Sequence, residues 1–316
     1  MPRSVVEPAA ERGTPGRLIL RLGGRVAERA RDVIEGRTEP VTPRDAATVM
    51  LLRPAVGDQA AVGDQAAVGQ EAAVGQEAKN SVEVYMLRRA ASMAFMPGAY
   101  VFPGGSVDPR DAGGEVDWAG PDAAQWGETL AAPADLARAL VCAAVRETFE
   151  ESGVLLAGPS PDQVVADTRG ADWEADRRGL LDRSLSLADL LRRRHLVLRS
   201  DLLRPWSRWI TPATEEHRYD ARFFAAALPA GQRTRDVGGE ADQVAWVEPA
   251  AALGAARRGE IRLMPPTAVS LADLGACRGL SGALGERREV TAVLPEVVLV
   301  EDAVWLTLPT ELDYPL

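Results

Sequence analysis

The residues best placed to do chemistry are three glutamates in Arg146-Glu147-Thr148-Phe149-Glu150-Glu151-Ser152-Gly153-Val154. At helical spacing Glu147, Glu150 and Glu151 fall at i, i+3 and i+4 and share one stripe, while Val141, Cys142, Val145 and Phe149 project from the opposite side. Three carboxylates this close repel one another, and towards the C-terminal end of a helix the dipole also disfavours anions. A hard, oxygen-preferring divalent cation relieves both penalties, and Mg²⁺ is the usual candidate. A solvated acidic helix face would carry the same three residues, so the surroundings must decide between the two readings.

The elements that must position these glutamates can be read along the chain. A helix is expected from about Pro133 to Ser152, with proline in its first turn and Gly153 just past its end. Upstream, Tyr100-Val101-Phe102-Pro103-Gly104-Gly105 reads as a short strand running into a glycine turn. Ala46 to Arg53 and Ser81 to Arg88 read as strands, with Arg88 and Arg89 at the end of the second. Between these strands AVGDQA occurs twice and AVGQEA twice, from Ala55 to Ala78. Six residues per unit is too short for helical solenoids, so an expanded low-complexity loop is expected. Further elements are a helical stretch over Leu185–Val197, strands over Arg222–Leu228 and Val244–Val247, short helices near Ala250–Arg257 and after Pro265, and two or three strands within Val290–Leu308. Residues 1–40 read as an appended arm with a helix from Leu18 to Glu35, on a face carrying Leu18, Val26, Ala30 and Ile34. The irregular mixture of strands and helices favours one α/β core with a compact helical insertion.

Composition limits the function classes. The 316 residues carry 36 Lys plus Arg against 46 Asp plus Glu, a net charge of −10, with 46% hydrophobic residues. That is enough for a sizeable core and argues against a dedicated nucleic-acid binder, though a divalent cation would still admit anionic substrates. Two cysteines, Cys142 and Cys277, and two histidines, His195 and His217, leave no cysteine- or histidine-rich metal centre. Cys142 lies on the apolar side of the helix expected from Pro133 to Ser152 and reads as core. Without a membrane-length apolar run or a charged-then-apolar N-terminus, a soluble cytoplasmic protein is expected, with neither membrane nor nucleic acid as partner. A homodimer is compatible with this reading.

Phe102-Pro103-Gly104-Gly105-Ser106-Val107-Asp108 followed by Arg146 to Val154 resembles the two halves of the Nudix box, G-x5-E-x7-R-E-U-x-E-E-x-G-U with U aliphatic. Gly105 matches the opening glycine, Asp111 stands where the pattern has Glu, and Thr148 replaces the aliphatic residue. The halves are 34 residues apart instead of seven, so an insertion holding Trp118 and Trp126 must loop out before the helix. A branch of this family related to animal peroxisomal coenzyme A diphosphatases has such an interrupted box. It also resembles this chain at Arg88, at Phe95 to Gly105, at Trp209-Ile210-Thr211-Pro212, at Arg218 to Phe224 and at Pro265-Pro266-Thr267. The resemblance spans roughly residues 45 to 275.

The resemblance implies an α/β/α sandwich with a mixed sheet. It implies Mg²⁺ or Mn²⁺ on Glu147, Glu150 and Glu151, assisted by a carbonyl near Gly105, with Arg146 holding the glutamates. Water would attack a pyrophosphate linkage in a small nucleotide derivative, with Glu150, Glu151 or a later glutamate such as Glu240 as base. Gly104, Gly105, Arg88 and Arg89 are the candidate substrate contacts. Coenzyme A or acyl-coenzyme A is the first candidate substrate; ADP-ribose, NADH and nucleotide sugars, or a sensing module without turnover, remain alternatives. Trp209 could stack a base or be buried, Arg218, Asp220 and Arg222 suggest an ion-pair cluster, and His217 is too isolated for a role.

Overall fold

A computed structural model describes residues 17–55, 81–90, 96–235, 241–285 and 288–316. Most of the hexapeptide repeat therefore lies outside the described residues. The central strand, Arg44–Pro54, reads as a nearly continuous apolar run because it is covered on both faces. Ala47, Val49 and Leu51 enter one core and Met50 and Leu52 the other, the two-residue alternation of an extended chain. The sheet places, in order, Arg262–Leu263, Ala99–Val101, Val82–Arg89, Arg44–Pro54, Tyr219–Ala227, Arg204–Ile210 and Ala292–Val293. Two further strands attach beside this path: Ala241–Val247 on Val82–Arg89, and Gly104–Ser106 on Arg44–Pro54. Tyr219–Ala227 runs parallel to the central strand, whereas Arg204–Ile210 runs antiparallel to Tyr219–Ala227, so the sheet is mixed.

The helix Ala134–Ser152 covers the first face, with Leu140, Val141, Cys142, Val145 and Phe149 in its core. Pro133 is its N-cap and Gly153 its left-handed C-cap at φ 74°, a conformation that suits glycine. The helices Pro249–Arg257 and Pro265–Ala276 pack on the other core, giving an α/β/α sandwich. The residues between the box halves do not simply loop out. They form the helix Ala123–Leu130, capped reciprocally by Asp122 and Gln125, with Trp126 buried edge-on to Phe224 at 5.9 Å.

Two sequence expectations need correction. Leu18 to Glu35 is not one helix: Arg17–Leu22 is a strand and Gly24–Ile34 the helix, with Gly24 at φ 55° between them. The buried helix face is Ala27 and Ala30, leaving Val26 exposed. The reason is a partner far away in sequence, since Arg17–Leu22 pairs antiparallel with Ala303–Leu308. Leu185–Val197 shrinks to the helix Leu187–Arg193, and a further helix, Ala171–Leu181, was not foreseen. Within Val290–Leu308 there are three strands, Ala292–Val293, Glu296–Val300 and Ala303–Leu308. Among the described residues no helix is long and apolar enough to cross a membrane.

The burial of the box helix is testable through its thiol. Cys142 is 2% exposed and burial pushes its pKa up to about 12, whereas Cys277 is partly accessible. A thiol-reactive disulfide reagent at about pH 8 should therefore label Cys277 alone in the native protein and both cysteines in denaturant. Rapid native labelling of Cys142 would contradict this packing.

Candidate active site

The glycine loop and the box helix meet at the central strand. Ala46 to Thr48 pair with Ser106 to Gly104, which leaves no room for side chains on the loop. A Cβ on Gly104 would come within 2.5 Å of the Ala47 carbonyl oxygen, and one on Gly105 would overlap the Glu147 carboxylate. The backbone of the opening glycine is thus pressed against the first glutamate of the helix. The Gly104 N–H also donates to Glu151 Oε2 at 2.8 Å.

Arg146 is the hub beneath this loop. Its guanidinium grips Asp111 through two hydrogen bonds of 2.9 Å, donates to Glu147 Oε1 at 2.7 Å and to Glu150 Oε1 at 3.3 Å, and reaches the Ser106 carbonyl at 2.9 Å. Asp111 is held in place by a tight turn, Pro109–Asp111, in which its carboxylate accepts from the Asp108 N–H at 2.8 Å. The Arg110 guanidinium in turn holds the Asp108 carboxyl well below its usual range. Asp111, standing where the family pattern has glutamate, is therefore the bidentate anchor of Arg146 across the insertion.

The electrostatics are unbalanced. One buried guanidinium faces the three buried carboxylates of Asp111, Glu147 and Glu150. Burial pushes Glu147 up from its ordinary 4.5 to about 7, with Arg146 opposing, and raises Glu150 in the same way. Arg146 bonds only the Oε1 atoms of these two glutamates, leaving each with a second oxygen for another cation. Among the described residues no three His, Cys, Asp or Glu side chains are already gathered as a cage, since Glu151 is turned to Gly104 and Arg146 lies between the others. In kind and number, however, Glu147, Glu150, Glu151 and the Gly105 carbonyl are the hard oxygen donors a divalent ion uses.

These groups open into a cleft of about 1530 Å³, lined by Gly104, Gly105, Glu147, Glu150 and Glu151 together with Arg89 and Trp209. Arg88 is not in it. It pairs with Asp242 at 2.7 Å and lines a separate depression with Tyr100, because successive strand residues point to opposite faces and only Arg89 can face the cleft. Trp209 is almost wholly buried in the cleft floor, and His217 lies at the rim. Arg222 is buried against Asp45 at 2.8 Å and Asp220 at 3.1 Å, while Arg208 takes the place expected for Arg218 by pairing with Asp220 at 2.7 Å. Arg218 instead donates to the carbonyls of Thr211 and Val41. Glu240 lies outside the described residues.

One contributor escaped sequence reasoning. Arg177, buried on the helix Ala171–Leu181, donates to the Glu150 carbonyl at 2.8 Å and so places positive charge at the C-terminal end of the box helix. Its signal was the Glu174, Arg177, Arg178 spacing of i, i+3 and i+4, which forms ion pairs of 2.8 and 3.0 Å.

The chain matches a family model described as the NUDT19 Nudix domain over residues 118–274. It is 27% identical over 229 residues to an acyl-coenzyme A diphosphatase NUDT19 of Xenopus laevis, covering 61% of this chain and 59% of that protein. The human protein of the same name is 28% identical over 271 residues, covering 71% of this chain and 70% of its own length. The chain thus spans about three fifths of the first of these relatives. The crystal structure of a NUDIX hydrolase from Alicyclobacillus acidocaldarius superposes with a TM-score of 0.58 at 26% identity, covering 79% of this chain and 99% of that one. With the interrupted box folded around Arg146, the chain resembles the Nudix hydrolases in both sequence and fold, and resembles in particular the branch of the coenzyme A diphosphatases.

Proposed function

We propose that this chain is a metal-dependent diphosphatase that cleaves the pyrophosphate linkage of coenzyme A or an acyl-coenzyme A. The observation that carries the reading is the buried cluster in which the Arg146 guanidinium faces Asp111, Glu147 and Glu150 beneath the glycine loop, on the wall of a cleft. Such a surplus of carboxylate suits a divalent cation, and a diphosphate adds further negative charge to a chain already at −10. The names of the relatives favour coenzyme A or its thioesters as the substrate.

Glu147, Glu150, Glu151 and the Gly105 carbonyl would hold the Mg²⁺ or Mn²⁺. When bound, such an ion shields the diphosphate and makes water a better nucleophile at neutral pH. Arg146 positions Glu147 and Glu150 through their Oε1 atoms. Gly104 and Gly105 let the diphosphate approach the backbone, and Arg89 meets its oxygens from the cleft side. Glu150 or Glu151 takes the proton of the attacking water, with Glu240 the other candidate. Attack at one phosphorus breaks one bond of the P–O–P bridge and releases 3′,5′-ADP and (acyl-)4′-phosphopantetheine.

Mass spectrometry of coenzyme A incubated with the protein should show these products only when Mg²⁺ or Mn²⁺ is added, and Glu150→Gln should lower turnover by about a hundredfold or more. Products formed equally without metal would overturn the mechanism. Cleavage of ADP-ribose, NADH or a nucleotide sugar in place of coenzyme A would overturn the substrate.

A second test needs no turnover. Between pH 4.5 and about 7 the folded, metal-free chain keeps a proton on Glu147 that the unfolded chain has released. Stability of the metal-free protein should therefore fall as pH rises through that window. Glu147→Gln should flatten this dependence in a series of thermal melts. It should also weaken the rise in Tm that Mg²⁺ gives the unmodified protein near pH 7.5. An unchanged pH dependence in the variant would show that Glu147 is not the strained carboxylate.

A further inference from the structure

The cleft is larger than its chemistry requires. Small-molecule sites usually enclose about 300–1,000 Å³, whereas this one holds about 1530 Å³. Besides the glutamates, the cleft has a wall built from both ends of the described chain. The strand Arg17–Leu22 and the helix Gly24–Ile34 supply Leu20, Leu22 and Val26, and the C-terminal segment supplies Leu306, Tyr314 and Leu316.

Three of these are exposed although apolar: Leu20 at 48%, Val26 at 42% and Leu316 at 38%. Single apolar residues scattered on a surface are ordinary, but several gathered in one concavity mark a place where something apolar is received. Among the described residues ten large apolar side chains are exposed, and four of them, these three and Leu181, line this one cleft. The wall is also anchored. Leu20 lies opposite Leu306 in the strand pair, Ile19, Leu308 and Tyr314 pack into the second core, and Arg257 donates to the Pro315 carbonyl at 2.9 Å. A ligand chain therefore meets a preformed surface rather than one it must order, which lowers the entropic cost of binding. Arg25 and Arg29, which flank Val26 on the same helix and also reach the cleft, give the strip a basic rim.

We infer that this terminal wall is a specificity subsite for the acyl chain of the substrate, continuous with the cleft that holds the diphosphate, with Leu20 and Val26 as its central contacts. The inference rests on the coenzyme A reading above and adds to it a preference: the thioester-linked hydrocarbon occupies the apolar strip, so acylated substrates are favoured over free coenzyme A. Each methylene removed from water is worth about a fourfold gain in affinity, so the preference grows with chain length until the strip is covered.

The test compares kcat/KM for coenzyme A, acetyl-, hexanoyl- and decanoyl-coenzyme A in the full chain with Mg²⁺. In the unmodified protein kcat/KM should rise with acyl length, by about tenfold or more from coenzyme A to the decanoyl substrate. Leu20→Glu and Val26→Glu should each lower the decanoyl-to-coenzyme A ratio at least fivefold. Val26→Gln, an uncharged change on an exposed helix position, should lower the same ratio in the same direction, and thermal melts establish that all three variants are folded. A flat length series, or a ratio unaltered in folded variants, overturns the subsite while leaving the coenzyme A reading intact. Failure to cleave either coenzyme A or its thioesters, with turnover of another dinucleotide, overturns both.

Discussion

The contact on which the site depends is the buried guanidinium of Arg146. It ties together a loop, a tight turn and two glutamates of the box helix. Asp111 approaches from one side of the insertion and the box helix from the other, and the bidentate grip between them closes the box across 34 intervening residues. Removing that guanidinium would leave three buried carboxylates without a counter-charge, so this ion cluster serves geometry at the expense of easy electrostatics. What remains is a surplus of buried carboxylate over guanidinium.

The glycine loop works from above in the same way that Arg146 works from below. With no side chain at Gly104 or Gly105, the loop lies flat on the central strand and against the Glu147 carboxylate. The site is thus compressed between backbone and guanidinium, and its carboxylates have little freedom except towards the cleft. Arg177 completes the arrangement from outside the motif by meeting a carbonyl at the end of the box helix. Thr148, the departure from an aliphatic residue, costs little because its hydroxyl donates to the Ala144 carbonyl at 2.7 Å within its own helix.

Much of this was legible before any coordinates. Pro133 and Gly153 bracket a run of alanine, leucine and valine, so local propensity, patterning and caps all pointed to the same helix. The glutamate stripe and the apolar side followed from spacing alone. What sequence reading missed depended on partners distant in the chain. Leu18 fits a helical face with Val26, Ala30 and Ile34, but it also fits the strand alternation of Leu18, Leu20 and Leu22, and pairing with Ala303–Leu308 decides for the strand. Arg88 and Arg89 look equivalent as a pair of cations, but the pleat sends one to Asp242 and the other to the cleft. The insertion seemed a loop because its two-turn helix is too short to announce itself, and Trp126 is what fastens it to the core.

The pairing of the first described strand with the last one has a consequence for how the molecule is made. During synthesis Arg17–Leu22 is made long before its partner Ala303–Leu308. The sandwich and its glutamate cluster can assemble while Leu18, Leu20 and Leu22 are still waiting. A chain cut short before Ala303 would then carry an assembled cluster beside an unfinished wall and an unpaired apolar strand. The union of these two strands thus ties segments far apart in sequence, and hydrophobic surface stays uncovered until both are present.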